Sequence, residues 1–245
     1  MGVYNPACMQ TATVIAILFL GTFTQSVTGF GVGLVSMALL PVIVPLQTAS
    51  PLVALAALTL EGVLLLRYRS AFNLKAVWQV SVGSVIGVPI GIWALKQVDE
   101  KIILMILGTV ILGYAGYALL ALHLPALNHP LWPYGIGLLA GMLGGAYNTA
   151  GPPVIIYGNC RRWLPAEFKS NLQGFFLVNS TVVLSGHLIA HTITPAIGCL
   201  YLQSLPFMAA AVLAGVTLDR YLDPLRFRKI VLILLALMGL RLILA

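Results

Sequence analysis

Along this chain the polar positions gather into short clusters and leave long apolar runs between them. Runs long enough to cross a bilayer fall at about 48–66, 75–95, 102–122, 168–190, 202–218 and 229–245, given that a helical span needs about 20 residues. Two further regions, 11–45 and 131–158, are equally apolar but are interrupted by glycine and proline. The first is too long for one helix and too short for two complete crossings. The stretch GGAYNTAGPPVIIYG at 144–158 sets the poorest helix formers among residues that belong in a membrane. Irregular backbone survives at membrane depth only where protein buries it or a water-filled cavity adjoins it. Both interrupted regions are therefore expected as broken-helix hairpins around a midplane site.

The pattern also repeats. GFGVGLVSMALLP (29–41) aligns with GMLGGAYNTAGPP (141–153), and Glu61 in LTLEGVLLL aligns with Asn179 in FLVNSTVVL. GIWALKQVDEKIIL (91–104) aligns with GVTLDRYLDPLRFR (215–228), setting Asp99 opposite Asp223. The expected halves are 1–122 and 131–245, joined by a linker at 123–130 within one membrane domain.

Charge selects the topology. If each interrupted region crosses once, the basic residues split between the two faces. If each dips in and returns, Arg67, Arg69, Lys75, Arg161, Arg162, Lys169, Arg220, Arg226, Arg228 and Lys229 share one face. The other face keeps Lys96 and Lys101, balanced by Asp99 and Glu100, together with Arg241. Basic residues collect on the cytoplasmic side, so the second arrangement is expected. It makes an all-α membrane protein of two inverted repeats, each a re-entrant hairpin plus three transmembrane helices, with both termini outside the cytoplasm.

Composition agrees: 60% of the 245 residues are hydrophobic and 8% charged, with mean hydropathy +1.02, where soluble domains carry about 25% charged residues. The net charge of +7 sits at segment ends, which topology explains without a nucleic-acid partner. The first residues, MGVYNPACMQTATVIAILFL, lack a basic leader region and a cleavage site, so a retained helix is expected. Pro6 stands where a myristoylation motif wants Ser or Thr. Cys8, Cys160 and Cys199 have no metal-ligand spacing and are assigned to packing. No phosphate-binding glycine–lysine loop, dinucleotide fingerprint or Ser–His–Asp set stands out. The expectation is a protein that is not an enzyme and has no cofactor or metal, its partners being the lipid bilayer and a small anionic solute.

TGFGVGLVSMALLP (28–41) and GGAYNTAGPPVIIYG (144–158), each opening a four-element half, resemble the TauE/SafE sulfite exporter family of anion transporters. The resemblance extends from about residue 12 to 243 and implies an inner-membrane transporter of small sulfur-containing or organic anions, such as sulfite, sulfonates or sulfoacetate. An uncoupled anion channel, a membrane factor in sulfur metabolism and a structural membrane partner are the rival readings.

The residues fit an anion site on their own chemistry. A helix restarting after a break presents unpaired N–H groups and the positive end of its dipole. Gly29, Gly31 and Gly33, with Phe30 among them, allow close backbone approach in the first half, beside the polar Gln25, Ser26 and Thr28. In the second half Asn148 and Thr149 precede Gly151 and Pro152, and Pro152 and Pro153 suit the first turn of a restarting helix. These tips are expected to face each other across an oxyanion, with Asn179 beside them.

Glu61 is the one acid inside an apolar run, and such a group near a helix centre faces an interior or a cavity. It is either a proton-coupling carboxyl or a structural one reaching Arg67 or Arg69. Gly83, Gly87 and Gly91, like Gly137, Gly141 and Gly145, have the small-residue spacing that brings helix backbones together. His187 and His191, four apart, are read as interfacial polar residues rather than metal ligands. Arg161, Arg162 and Lys169 either draw anions to a cytoplasmic vestibule or anchor that face.

Overall fold

The computed structural model describes residues 6–120, 127, 129–218 and 224–244. They form ten α-helices: α1 (Pro6–Thr28), α2 (Val32–Leu39), α3 (Leu46–Tyr68), α4 (Leu74–Gln97), α5 (Glu100–Leu119), α6 (Trp132–Tyr147), α7 (Gly151–Cys160), α8 (Pro165–Ile189), α9 (Pro195–Leu218) and α10 (Pro224–Leu244). No strand occurs among the described residues. Most of the expected linker 123–130 lies outside them, as do Arg220, Asp223 and the side chain of Cys8.

Among the described residues, six stretches are long and apolar enough to cross a membrane: Gln10–Thr28, Leu46–Ala71, Leu74–Ala94, Lys101–Leu119, Pro165–Ile189 and Pro195–Leu218. Five coincide with the expected runs. The first interrupted region differs from expectation, because α1 runs 23 residues before it breaks and is itself of spanning length. The break therefore follows the last turn of α1, at Thr28. Conversely α10 is helical over 21 residues but carries Arg226, Arg228, Lys229 and Arg241, which shorten its uncharged stretch and leave it outside the six.

Local chemistry explains the boundaries. Asn73 caps α4 by accepting from the Ala76 amide, and Asp99 caps α5 by accepting from the Lys101 amide. Proline opens α7 and α8, where a missing N–H costs little. α1 ends at Gly29 and Gly31, whose φ angles of 86° and 136° lie in the region open to glycine, and α6 ends at Asn148 with φ 52°. After the first break the chain turns back on itself. Ser36 lies against Gly21, and the Gln10 side chain donates to the Ile43 carbonyl at 3.1 Å, so α2 returns to the side from which α1 entered.

Two glycine ladders make the most extensive interface, between α4 and α6. A Cβ on Gly83, Gly87 or Gly91 would run into the carbonyls of Tyr134, Leu138 and Met142 respectively, and one on Gly137, Gly141 or Gly145 into those of Val80, Ser84 and Val88. The ladders are thus a backbone-to-backbone seam in which each supplies the space the other occupies.

α3 and α8 run antiparallel: Ser50 near the start of α3 meets His187 near the end of α8, while Ser170 near the start of α8 donates to the Tyr68 carbonyl. α5 and α10 are antiparallel too, with Gly108 against Leu242 and Ile243 and Gly239 against Leu112. When α1–α5 is matched to α6–α10, the α4–α6 interface corresponds to that of α9 with α1. The α3–α8 and α5–α10 interfaces each join matched helices. Leu18, Met37, Leu52, Leu107 and Phe175 fill the interior, while Ile86, Trp93, Leu213 and Ile230 face outward. Apolar side chains outside as well as inside are what a hydrocarbon solvent requires.

Candidate functional site

The two breaks meet. A Cβ on Gly33, the second residue of α2, would run into the Asn148 carbonyl at the end of α6. Gly151, the first residue of α7, lies against the side chain of Leu34. At this junction is a cavity of about 20 Å³, bounded on one side by Gln25, Phe30, Gly31 and Gly33 and on the other by Asn148, Thr149 and Gly151. Ala57 and Glu61 of α3 and Phe176, Asn179 and Ser180 of α8 close it. These residues stand midway along their helices, which places the cavity at the middle of the molecule. A volume of about 20 Å³ admits a single water-sized solute.

The first tip is held by two glutamines. Gln25 accepts from the Val32 amide through its Oε1 at 3.0 Å and donates through Nε2 to Gln173 Oε1 at 3.1 Å. Gln173 in turn donates to the Gly29 carbonyl. Because Gln25 occupies the Val32 amide, the donors that the start of α2 presents are the amides of Gly33 and Leu34, which have no carbonyl a turn before them in the helix. At the start of α7, Pro152 and Pro153 carry no N–H, so its donors reduce to the amides of Ala150 and Gly151.

Two buried polar atoms facing this cavity have no hydrogen-bond partner: Thr149 Oγ1 and Glu61 Oε2. Leaving such an atom unpaired costs about 1–3 kcal/mol, and most buried polar groups are paired. Glu61 bonds to Ser180 on α8, while Arg67 and Arg69 lie exposed at the far end of α3, so of the partners a structural carboxyl could have, the contact is to the neighbouring helix. Asn179 Oδ1 accepts from Ser84 at 2.8 Å and packs on Gly144.

Of the residues singled out from sequence, Gln25, Phe30, Gly31, Gly33, Glu61, Asn148, Thr149, Gly151 and Asn179 come together here. Four do not line the cavity. Ser26 donates to the Thr22 carbonyl and packs on Gly215 of α9. Thr28 closes the last turn of α1 onto the Thr24 and Phe30 carbonyls. Gly29 lies against the side chain of Lys169. Pro152 borders a separate apolar cavity of about 570 Å³ among α4, α5, α6 and α7. Sequence reasoning missed Gln173 and Ser180: Asn179 was singled out by its alignment with Glu61, whereas these two are polar residues inside the apolar run of α8 and would have been found by that signal.

Cations flank the first tip. Lys169 Nζ donates to the Val27 carbonyl at 3.0 Å and lies over the Tyr68 ring, and the Arg228 guanidinium stands 5.7 Å from the Phe30 ring centroid. His187 is buried rather than interfacial, bonded to Ser50 and Thr192, whereas His191 is exposed beyond the end of α8. The two rings therefore do not share a helix face, and no cluster of three metal-ligating side chains occurs among the described residues.

Comparison with known proteins gives a consistent result. The family model described as "Sulfite exporter TauE/SafE" matches residues 14–242. A Cupriavidus necator protein named "Probable sulfite/organosulfonate exporter TauE" is 28% identical over 173 residues, covering 68% of each chain. A Comamonas testosteroni protein named "Probable inner membrane transporter protein TsaS" is 27% identical over 175 residues, covering 69% of this chain and 71% of its own. No solved structure gives a significant match.

Proposed function

The chain belongs to the sulfite exporter TauE/SafE family, whose members are transporters and not enzymes, and from that premise we propose that it exports small sulfur-containing or organic anions across the inner membrane. The substrate class is that of sulfite, sulfonates and sulfoacetate, in keeping with the sulfite and organosulfonate named for the C. necator relative. Transport proceeds by alternating access around the cavity between the hairpin tips. The two units are inverted repeats, 1–122 and 131–245 about the linker 123–130, each a re-entrant hairpin plus three crossings, with both termini extracytoplasmic.

In this reading the oxyanion is held by the Gly33, Leu34 and Gly151 amides and the Thr149 hydroxyl, at the positive ends of two short helices. Gln25, Gly31 and Asn148 shape the tips, Phe30 and Asn179 wall the site, and Glu61 is the proton-coupling carboxyl. The closed cavity is the state between inward and outward access. The observation that carries the proposal is the meeting of the tips at Gly33 and Asn148 beside the unpartnered Thr149 hydroxyl.

The test is twofold. Purified protein is screened for thermal stabilisation by sulfite, sulfate, thiosulfate, sulfonates and carboxylates, and flux is measured in proteoliposomes. Stabilisation by the sulfur oxyanions with saturable flux that responds to a pH gradient is the expected result. An ohmic, pH-insensitive current would make the protein a channel. Chemical turnover by the purified protein without vesicles would make it a factor in sulfur metabolism. No stabilisation by any anion would remove the site.

A further inference from the structure

A hydrogen-bond chain leads from the second hairpin tip to the end of α8. Asn148 donates through Nδ2 to the Ser50 carbonyl at 2.8 Å and to Ser50 Oγ at 3.0 Å. Ser50 Oγ lies 3.2 Å from His187 Nε2, and His187 Nδ1 lies 2.8 Å from Thr192 Oγ1. Thr192 Oγ1 also donates to the His187 carbonyl at 3.1 Å.

A neutral ring satisfies this chain in either tautomer. Thr192 accepts from Nδ1–H while Ser50 donates to Nε2, or Thr192 donates to Nδ1, its own amide supplying the His187 carbonyl at 3.1 Å, while Nε2–H donates to Ser50. Asn148 is oriented unambiguously, because one of its two partners is a carbonyl and only the amide nitrogen can donate to it. In either tautomer the neutral ring has one donor and one acceptor and links Asn148 through Ser50 to Thr192.

Protonation of the accepting ring nitrogen breaks that order. Both ring nitrogens then donate, so whichever hydroxyl had donated to the ring must turn its hydrogen away. A buried imidazolium is stable only once hydrated, and water is near, since α8 ends at Ile189 and His191 is exposed. Other ionisable groups on the surrounding elements are His191 on the α8–α9 connection, Glu61 on α3 about three turns away, Tyr147 on α6, and Cys199 and Tyr201 on α9. On α4, Ile92 packs against Gly186, and the side chain of Lys96 one turn further on is outside the described residues.

We propose that Ser50 and His187 are positioning residues that lock Asn148, and with it the second hairpin tip, and that protonation of His187 from the face at which α8 ends unlocks that tip. This rests on the reading of the tips as the moving gate of a carrier. It makes His187 a device that sets the rate of opening, separate from any carboxyl that moves a proton with the substrate.

The test begins without substrate. Hydrogen exchange is followed over residues 144–154 between neutral and mildly acidic pH, corrected for intrinsic exchange. Wild type is expected to lose about tenfold in protection on acidification, the equivalent of one buried hydrogen bond. His187→Gln, which stays neutral and offers both a donor and an acceptor, is expected to show no such loss, and Ser50→Ala to show it already at neutral pH. Equal acid sensitivity in wild type and His187→Gln, or none in wild type, overturns the latch. Should His187→Gln fail to fold, Thr192→Val, which removes the Nδ1 partner, is expected to be unprotected at neutral pH, and wild-type protection there overturns the latch. Proteoliposome flux of methanesulfonate, an anion that stays ionised across the range, is measured alongside. The pH limb of its rate is expected to vanish in His187→Gln with KM within about twofold of wild type. Retention of the wild-type pH limb counts against the proposal. Absence of flux with an intact exchange result would sink the carrier reading and leave the latch standing.

Discussion

Gly33 and Asn148 are 115 residues apart in sequence, yet the carbonyl of one occupies the space a side chain on the other would need. The tip contact is therefore made by backbone, and only glycine at position 33 permits it. Gly33→Ala is expected to force the hairpins apart at about 1–3 kcal/mol, the usual cost of overpacking. Gly151→Ala, whose Cβ would meet Ile155 at an ordinary 3.5 Å, is the matched control and is expected to be tolerated. Thermal unfolding in detergent separates them, and equal melting temperatures would mean that the tips do not touch.

The glycine seam between α4 and α6 makes a second comparison. A side chain on Gly141 would run into the Ser84 carbonyl, while one on Gly62 in α3 meets nothing within 4 Å. Gly141→Ala is expected to lower the melting temperature. Gly62→Ala is expected to hold or raise it, since alanine is favoured over glycine in a helix by about 0.5–1 kcal/mol. The same pair in reverse order would show that the seam is not an interface.

Gln25 and Gln173 act as one unit, so their substitutions should not add. Gln25→Ala strands the Val32 amide and one face of Gln173, and Gln173→Ala strands the Gly29 carbonyl and one face of Gln25. Each is expected to cost about 1–3 kcal/mol, the penalty for an unpaired buried group. The double variant should cost less than the sum, because residues in one hydrogen-bond network couple. Denaturation of the four proteins closes the cycle, and strict additivity would mean the glutamines do not share a bond.

What could be read from sequence follows from which residues restrict a backbone. Gly29, Gly31, Asn148, Pro152 and Pro153 announced both breaks, because glycine and asparagine tolerate left-handed backbone and proline suits a first turn. The glycine ladders announced close packing, but not that they are each other's partner, which depends on two helices far apart in the chain. Side-chain direction was the part that sequence hid. Ser26 and Thr28 are as polar as Gln25, yet the turn of α1 aims Ser26 at α9 and folds Thr28 onto its own backbone. The length of α1 before the first break was hidden as well, since nothing in the apolar run showed that the helix would continue for 23 residues.

Thr149 offers a test that separates binding from folding. Its hydroxyl is buried against the cavity and unpartnered, so in the empty protein it is a cost rather than a support. Thr149→Val keeps the shape and removes that cost, and the empty protein is expected to melt at the same temperature or slightly higher. Stabilisation by a sulfonate should fall by about tenfold in apparent affinity, the value of one hydrogen bond to a charged ligand. Undiminished stabilisation would place the anion elsewhere.

Glu61→Gln tests what drives transport. The Glu61 carboxyl is buried in the same cavity, with one oxygen unpartnered, and Asn179, which also lines that cavity, cannot take up a proton. A single titrating group that shares the cavity with the anion would tie one proton to each turn of the carrier, whereas a structural carboxyl would only hold Ser180. Glu61→Gln keeps an oxygen for Ser180 and removes the exchangeable charge. The expected outcome in proteoliposomes is that methanesulfonate still exchanges across the membrane but no longer accumulates when a pH gradient is imposed. This differs from the His187→Gln phenotype, in which the rate loses its pH limb while gradient-driven accumulation remains. Measuring exchange and accumulation on the same vesicles distinguishes the two roles. Accumulation preserved in Glu61→Gln would reduce that carboxyl to a strut between α3 and α8.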